Sequence, residues 1–546
     1  AFYHIVDLPG IYSLNFSSPE EKIAKDFLLS KKFDAVIILT DATDLKRNFH
    51  LTLQVLKICP KSILCINMMD EAKRRGITID TAGLSKALSV PVITCSARKN
   101  IDSVKEALTH IDELSEKNII LPKKEELIQN YVTYSIDRVA KKERLIDSIL
   151  CGKYTAVPIM VLFLAVILWI TIVGANYPSE LLAELLSIIG EKLGGLLLSL
   201  NTPMWLYGIL IDGAYSVTAQ VVSVMLPPMA IFFPLFSLLE ESGFLPRIAL
   251  NLDTPFKKAG SSGKQALTMC MGLGCNAVGV TGCRIIPSDK QQLIAILTNS
   301  FMPCNGRFPT IILLIGIMLG HFTTSLLSAV LLTLFILLAV IVTLLITKVL
   351  SRILTGENIS VIIELPSYKK PPIIKILTES LIHKALHILG RALIVSAPAG
   401  IVLWLLGNIH INSSSILILM SEFLEPIGSL LAMDGVILLA FILGIPANEI
   451  VLPIAVMIYT ASSNMSAVST EEIKSILLTG GWDFFTALSV ALFSLFHWPC
   501  ATTLLTIKKE SNSLKYTLLS LIIPTAIGFI LCSCVNLCKL LFISVF

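Results

Sequence analysis

Residues 272–284 read GLGCNAVGVTGCR, and they lie in an apolar part of the chain although a lipid-spanning helix has little use for them. Glycines at 272, 274, 279 and 282 interrupt the segment, while Cys275, Asn276 and Cys283 give it donor atoms. Inside hydrocarbon, irregular backbone survives only where protein or a water-filled path satisfies its polar groups, so the stretch reads as the wall of a substrate site. The bland alternative is a helix packed closely through its glycines.

The composition places this stretch in a membrane protein. With 546 residues, 54% of them hydrophobic and 15% charged, the chain is too apolar for an ordinary soluble protein and long enough for several domains. The twelve cysteines are scattered without a CxxC pair, which favours reduced thiols over a disulfide framework. No signal-peptide pattern precedes the first domain, so the N-terminal part is expected in the cytoplasm. Nothing in the charge pattern calls for a nucleic acid partner.

Residues 1–112 read as an α/β domain. Apolar, β-branched runs at Tyr3–Val6, Ala35–Thr40, Ser62–Asn67 and Val92–Cys95 alternate with helical stretches. Each run ends in a polar loop, the place where open parallel sheets bind ligands. The loops are Asp7-Leu8-Pro9-Gly10, Asn67-Met68-Met69-Asp70 and Ser96-Ala97-Arg98, an order that resembles the GTPases. The chemistry fits. A carboxylate at Asp70 can accept the ring N–H and the exocyclic amine of guanine, a pair that adenine does not offer. Asn67 would brace the neighbouring loops, Gly10 leaves its N–H open to a phosphate, and Asp7 could reach Mg2+ through a water. Missing from the sequence is the GxxxxGK[ST] loop that cradles phosphates, so the domain is incomplete and GTP hydrolysis by this chain is open. The expectation is a piece of a longer protein; the alternative is a domain that holds nucleotide poorly.

A charged helical spacer is expected over 113–153, followed by a membrane domain over 154–546. Seven apolar stretches, at about 156–175, 214–238, 291–318, 323–347, 391–411, 484–506 and 516–538, are each long enough to cross about 30 Å of hydrocarbon. Two more, 265–283 and 435–459, are broken in the middle. The basic clusters 247–264, 284–290, 348–391 and 508–515 are expected on the cytoplasmic side. With those clusters inside, the first broken segment must enter and return from the cytoplasm and the second from outside. The result is an all-α, polytopic domain with two re-entrant hairpins in an inverted repeat, its gate regions at about 214–318 and 391–506. Pro303-Cys304 and Pro499-Cys500 recur in the span after each hairpin. Such repeats, with broken helices meeting near the bilayer midplane, build many secondary transporters. The donor atoms gathered there are the sulfurs of Cys275, Cys304 and Cys500 and the carboxylate of Glu449, a set that suits a borderline transition metal such as Fe2+. Arg307, Asp483 and His497 are expected to be structural partners.

The stretches DLPGIYSL, NMMDEAKRRGI, SLLEESGFLPRIA, GLGCNAVGVTGCR, MPCNGRFP, IELPSYKKP and GIPANEIV together resemble the ferrous iron transport protein B family over nearly the whole chain. The resemblance implies an Fe2+ transporter of a bacterial or archaeal plasma membrane, with an N-terminal GTPase domain binding GTP or GDP with Mg2+. It implies gate cysteines that carry over as Cys275 with Cys304, and Cys500 with Glu449. A small cytosolic accessory protein, a homo-oligomer and surrounding lipid are the partners it adds to Fe2+ and guanine nucleotide. The competing readings are a membrane-tethered GTPase switch without transport and a hairpin transporter of a non-metal solute.

Overall fold

The computed structural model describes residues 4–11, 13–14, 19–97, 122–134, 145–152, 154–319, 325–356, 373–411, 414–460 and 470–545. Its contacts divide the chain into Ala1–Ser148 and Ile149–Phe546. Arg98, the IELPSYKKP motif and the basic run at 141–144 lie outside the described residues.

In the first unit, β1 (Val36–Asp41), β2 (Ser62–Asn67) and a later strand, Val92–Thr94, form a parallel sheet with β2 in the middle. The central strand, Ser-Ile-Leu-Cys-Ile-Asn, is buried on both faces as far as Ile66, which is why it reads as an uninterrupted apolar run. Between β2 and Val92–Thr94 the chain inserts β3 (Ile77–Ile79), so Val92–Thr94 is β4. The first expected strand is a correction: His4–Val6 pairs with nothing among the described residues, and Ile5 and Val6 are exposed. A strand exists only by its neighbour's N–H and C=O groups, and none of the described strands lies beside this run. The expected spacer also differs from a plain helix. Lys124–Tyr131 is helical, but the next three residues form β5 (Val132–Tyr134), antiparallel to β3. Residues 122–134 therefore pack as part of the first unit.

Among its described residues the second unit has seven helices long and apolar enough to cross a membrane, and they fall on the seven expected spans. The first, Ala156–Ser199, has 44 residues; at 1.5 Å per residue it is about 66 Å long, roughly twice the hydrocarbon thickness. Two of the spans, Met204–Glu241 and Leu386–Asn408, approach closely through Gly213 and Gly400; a β-carbon on Gly400 would overlap the Gly213 carbonyl.

Both hairpins form. In the first, helix Lys264–Gly274 breaks at the single extended residue Cys275 and returns as Asn276–Gly282, bringing Gly279 against the Thr268 backbone. In the second, Gly435–Leu443 breaks over 444–447 and returns through a turn to Val451–Tyr459. The return is tied at its base, where the Tyr459 hydroxyl donates to Asp434. The span after each hairpin is itself broken: Asp289–Thr298 and Phe308–Leu319 flank one break, Phe484–Phe496 and Ala501–Ser511 the other. Helix Ile416–Leu430, which meets the second hairpin at 109°, is not separated by the sequence pattern.

Candidate functional site

The four breaks converge. Cys275, Cys304, Glu449 and Cys500, each beside a different break, line one cavity of about 40 Å3 together with Met225, Met229 and Thr503. A space of about 15 Å3 already holds one water, so this volume suits an ion with a water or two. The donor atoms nevertheless stand apart. Among the described residues no group of three or more His, Cys, Asp or Glu side chains is arranged to hold a metal ion.

Each donor is placed by the chain around it. Cys275 is the extended residue that separates the two helices of the first hairpin. Cys304 and Cys500 have extended backbones and immediately precede a helical turn and a helix, respectively. Each follows a proline, whose missing N–H removes one helical bond and favours the break at that point. Glu449 lies in the 3-10 turn of the second hairpin, and its carboxylate rests on Gly306, where a β-carbon would overlap it.

The residues expected to be structural brace the breaks. Arg307, 1% exposed, donates to the carbonyls of Leu495 at 2.8 Å and Trp498 at 3.1 Å, with longer contacts to those of Ser300 and His497. A cation at the end of helix Phe484–Phe496 thus collects the carbonyls that the break sets free. His497 Nδ1 faces the carbonyls of Phe493 and Ser494, both acceptors, so Nδ1 carries a proton. Its Nε2 meets the Asn448 amide, which also approaches Cys304. The Asn276 amide, turned so that its nitrogen faces them, donates to the carbonyls of Gly272 and Met302. Asp483 caps Phe484–Phe496 through the Thr486 N–H and pairs with Lys539 at 2.9 Å.

Sequence reasoning missed Asn299. Its amide lies against Gly272 and Gly279 and donates to the Asn276 carbonyl at 3.0 Å, which accounts for those two glycines. The signal was present as a polar pair, Asn299-Ser300, within an apolar span.

In the first unit, the loops after β2 and β4 meet. Asn67 Oδ1 accepts from the Ala97 N–H at 3.0 Å, and the Asp70 N–H donates to Ser96 Oγ at 3.3 Å. Met68 takes φ +63° between Asn67 and Asp70, turning the chain sharply into the next helix. Beneath these loops Cys65 and Cys95 face each other at 3.3 Å as free thiols, and burial pushes Cys65 up to about 12. Asp7 and Gly10 lie on the segment before Leu14, whose N–H donates to Gln54 at 2.8 Å.

Comparison with known proteins decides the family. Residues 1–111 match the family model for ferrous iron transport protein B and 332–382 the one for its C terminus. Residues 222–318 and 389–514, which carry both hairpins, match the model described as nucleoside recognition. The chain belongs to the ferrous iron transport protein B family. It is 27% identical to a Fe(2+) transporter FeoB of Staphylococcus aureus, covering 96% of this chain and 91% of that protein. Its identity to a Fe(2+) transporter FeoB of Campylobacter jejuni is 26%, over 94% and 87% of the two chains. Among solved structures, the FeoB G-domain of Methanococcus jannaschii is 42% identical over 20% of this chain and 69% of that one, with a TM-score of 0.19. The cytosolic domain of the T. maritima FeoB iron transporter in a GDP form is 33% identical over 27% and 55%, with a TM-score of 0.20.

Proposed function

We propose that this multi-pass Fe2+ transporter passes its ion through the cavity between the two hairpins, with Cys275, Cys304, Cys500 and Glu449 as the donors. The observation that carries the reading is their convergence: four side chains from four separate breaks line one small buried space. Their separation suits a transport site, which must release its ion and so cannot be a closed cage. The size of the space weighs against a nucleoside, since small-molecule sites are typically about 300 Å3 or more. A nucleotide switch without transport would have no use for donors at this depth.

Asn67, Asp70, Ser96 and Ala97 supply the guanine-recognition side of a nucleotide site, with Asp7 and Gly10 on the phosphate and Mg2+ side. The basic clusters put that unit in the cytoplasm of a bacterial or archaeal cell, the first hairpin entering from inside and the second from outside.

The test is Fe2+ uptake into proteoliposomes with Mn2+, Zn2+ and uridine as competitors. Cys304→Ser, Cys500→Ser and Glu449→Gln are each expected to lower uptake by about tenfold or more at normal protein levels, the scale on which ligand-shell changes act. Cys59→Ser and Cys532→Ser should leave it unchanged. Wild-type uptake in all three cavity variants would move the site elsewhere.

A further inference from the structure

Next to the cysteine cavity the protein encloses a second polar group that the reading above does not use. Gln265 opens the first hairpin, Thr298 ends the first half of the following span, Asn299 and Ser300 form the turn after it, and Thr347 comes from helix Ser325–Ile353. All five are 0% exposed. Gln265 Nε2 donates to Thr298 Oγ1 at 2.8 Å and to Thr347 Oγ1 at 3.1 Å, which fixes the amide and turns its oxygen away from both. Asn299 Nδ2 is likewise committed to the Asn276 carbonyl.

Among the described residues no donor reaches Gln265 Oε1 or Asn299 Oδ1, and Ser300 Oγ has no partner. Two amide oxygens cannot satisfy each other, because both only accept. Buried acceptors at membrane depth call for a donor or a cation, and a hydrated cation offers both.

One hydrogen bond ties the group to the wall of the cavity, which Asn276 lines. Asn299 bonds to Asn276, the neighbour of Cys275, and its amide fills the space left by Gly272 and Gly279. From there the polar side chains run through Thr298 to Gln265, beside Lys264 at the hairpin's start, the end that the basic clusters assign to the cytoplasm.

We propose that Gln265, Thr298, Asn299, Ser300 and Thr347 form a second cation station of neutral oxygens, which takes the hydrated ion after it leaves the sulfur and carboxylate donors. The proposal rests on the Fe2+ reading of the cavity and extends it to the release step. The chemistry differs in the way release requires. Thiolate and carboxylate hold a borderline divalent ion, whereas uncharged amide and hydroxyl oxygens hold it weakly and leave waters on it.

The experiment uses the full chain in proteoliposomes and reads two quantities: the Fe2+ uptake curve, and the Co2+–thiolate charge-transfer absorption of the cysteine cavity. Gln265→Met keeps the side chain's length and removes its polar atoms. It is expected to lower the maximal uptake rate at least tenfold while the Co2+ absorption stays as in the wild type. Gln265→Glu keeps an acceptor and adds charge, so it should hold the ion longer, lowering both KM and the maximal rate. Wild-type uptake by Gln265→Met, loss of its Co2+ absorption together with uptake, or an unchanged KM in Gln265→Glu would each overturn the station while leaving the cavity in place. A wild-type protein showing neither metal uptake nor Co2+–thiolate absorption would instead bring down the cavity reading, and the station with it.

Discussion

The two halves of the membrane unit share a plan and divide the work. Each offers a span, a hairpin and a broken span, yet the first hairpin breaks at one residue, Cys275, and the second over 444–447 before the turn that carries Glu449. The first half contributes two thiols to the cavity, Cys275 and Cys304; the second contributes one thiol, Cys500, and the Glu449 carboxylate. Restraint runs the opposite way. Arg307 of the first half holds the carbonyls freed in the second, while the Ala501 N–H of the second span bonds the Ile445 carbonyl within its own half. A break in a helix at membrane depth is stable only when its carbonyls have donors, and here one half lends the other its donor.

That asymmetry can be broken most severely at Arg307. Arg307→Met would leave buried carbonyls of Leu495 and Trp498 without their donor, a loss of about 1–3 kcal/mol for each group left unsatisfied. The expected outcome is little folded protein in the membrane, read as a collapse of the melting transition in detergent. A wild-type melting temperature would show that the second break supports itself.

A smaller and more local effect is expected at Gly306, which sharpens the view that the first half shapes the carboxylate of the second. Gly306→Ala puts a methyl group where the Glu449 carboxylate rests, an overpacking worth about 1–3 kcal/mol. Uptake should fall by about tenfold with protein levels near normal, because every 1.4 kcal/mol is a factor of ten. Loss of folded protein instead would make Gly306 a packing residue with no special link to Glu449.

The smallest effect is expected where the halves meet in water. Arg284, just after the first hairpin, makes a two-pronged pair with Glu510 at the end of the second broken span, both bonds 2.7 Å; the Arg284 side chain is 65% exposed and that of Glu510 only 5%. Solvent and salt screen the arginine, and a glutamine still offers the Glu510 carboxylate a donor, so Arg284→Gln should lower the melting temperature and uptake only slightly. A clear drop in either would mean that this contact, like Arg307, couples the halves.

Much of this was legible from residue order. The seven spans and the two interrupted segments follow from apolar run length and from glycine and proline placement, which are local properties. β1, β2 and β4 follow from β-branched runs ending in polar loops. Less local features escaped. Val132–Tyr134 reads as part of a charged helix and becomes a strand because β3 offers it a partner. Tyr3–Val6 reads as a strand, and its described part, His4–Val6, has no pairing strand among the described residues.

What the sequence determined by itself was chemistry: which side chains can bind a metal or a guanine base, and near which backbone interruptions they fall. Only the tertiary structure decided that Cys275, Cys304, Glu449 and Cys500 share one cavity, that Arg307 serves carbonyls nearly two hundred residues away, and that Asn299 is wedged against two glycines of the hairpin. The physical reason is that run length and residue type act over a turn or two of chain. The satisfaction of buried polar groups is settled by whichever distant donor the packing brings within 3 Å or so.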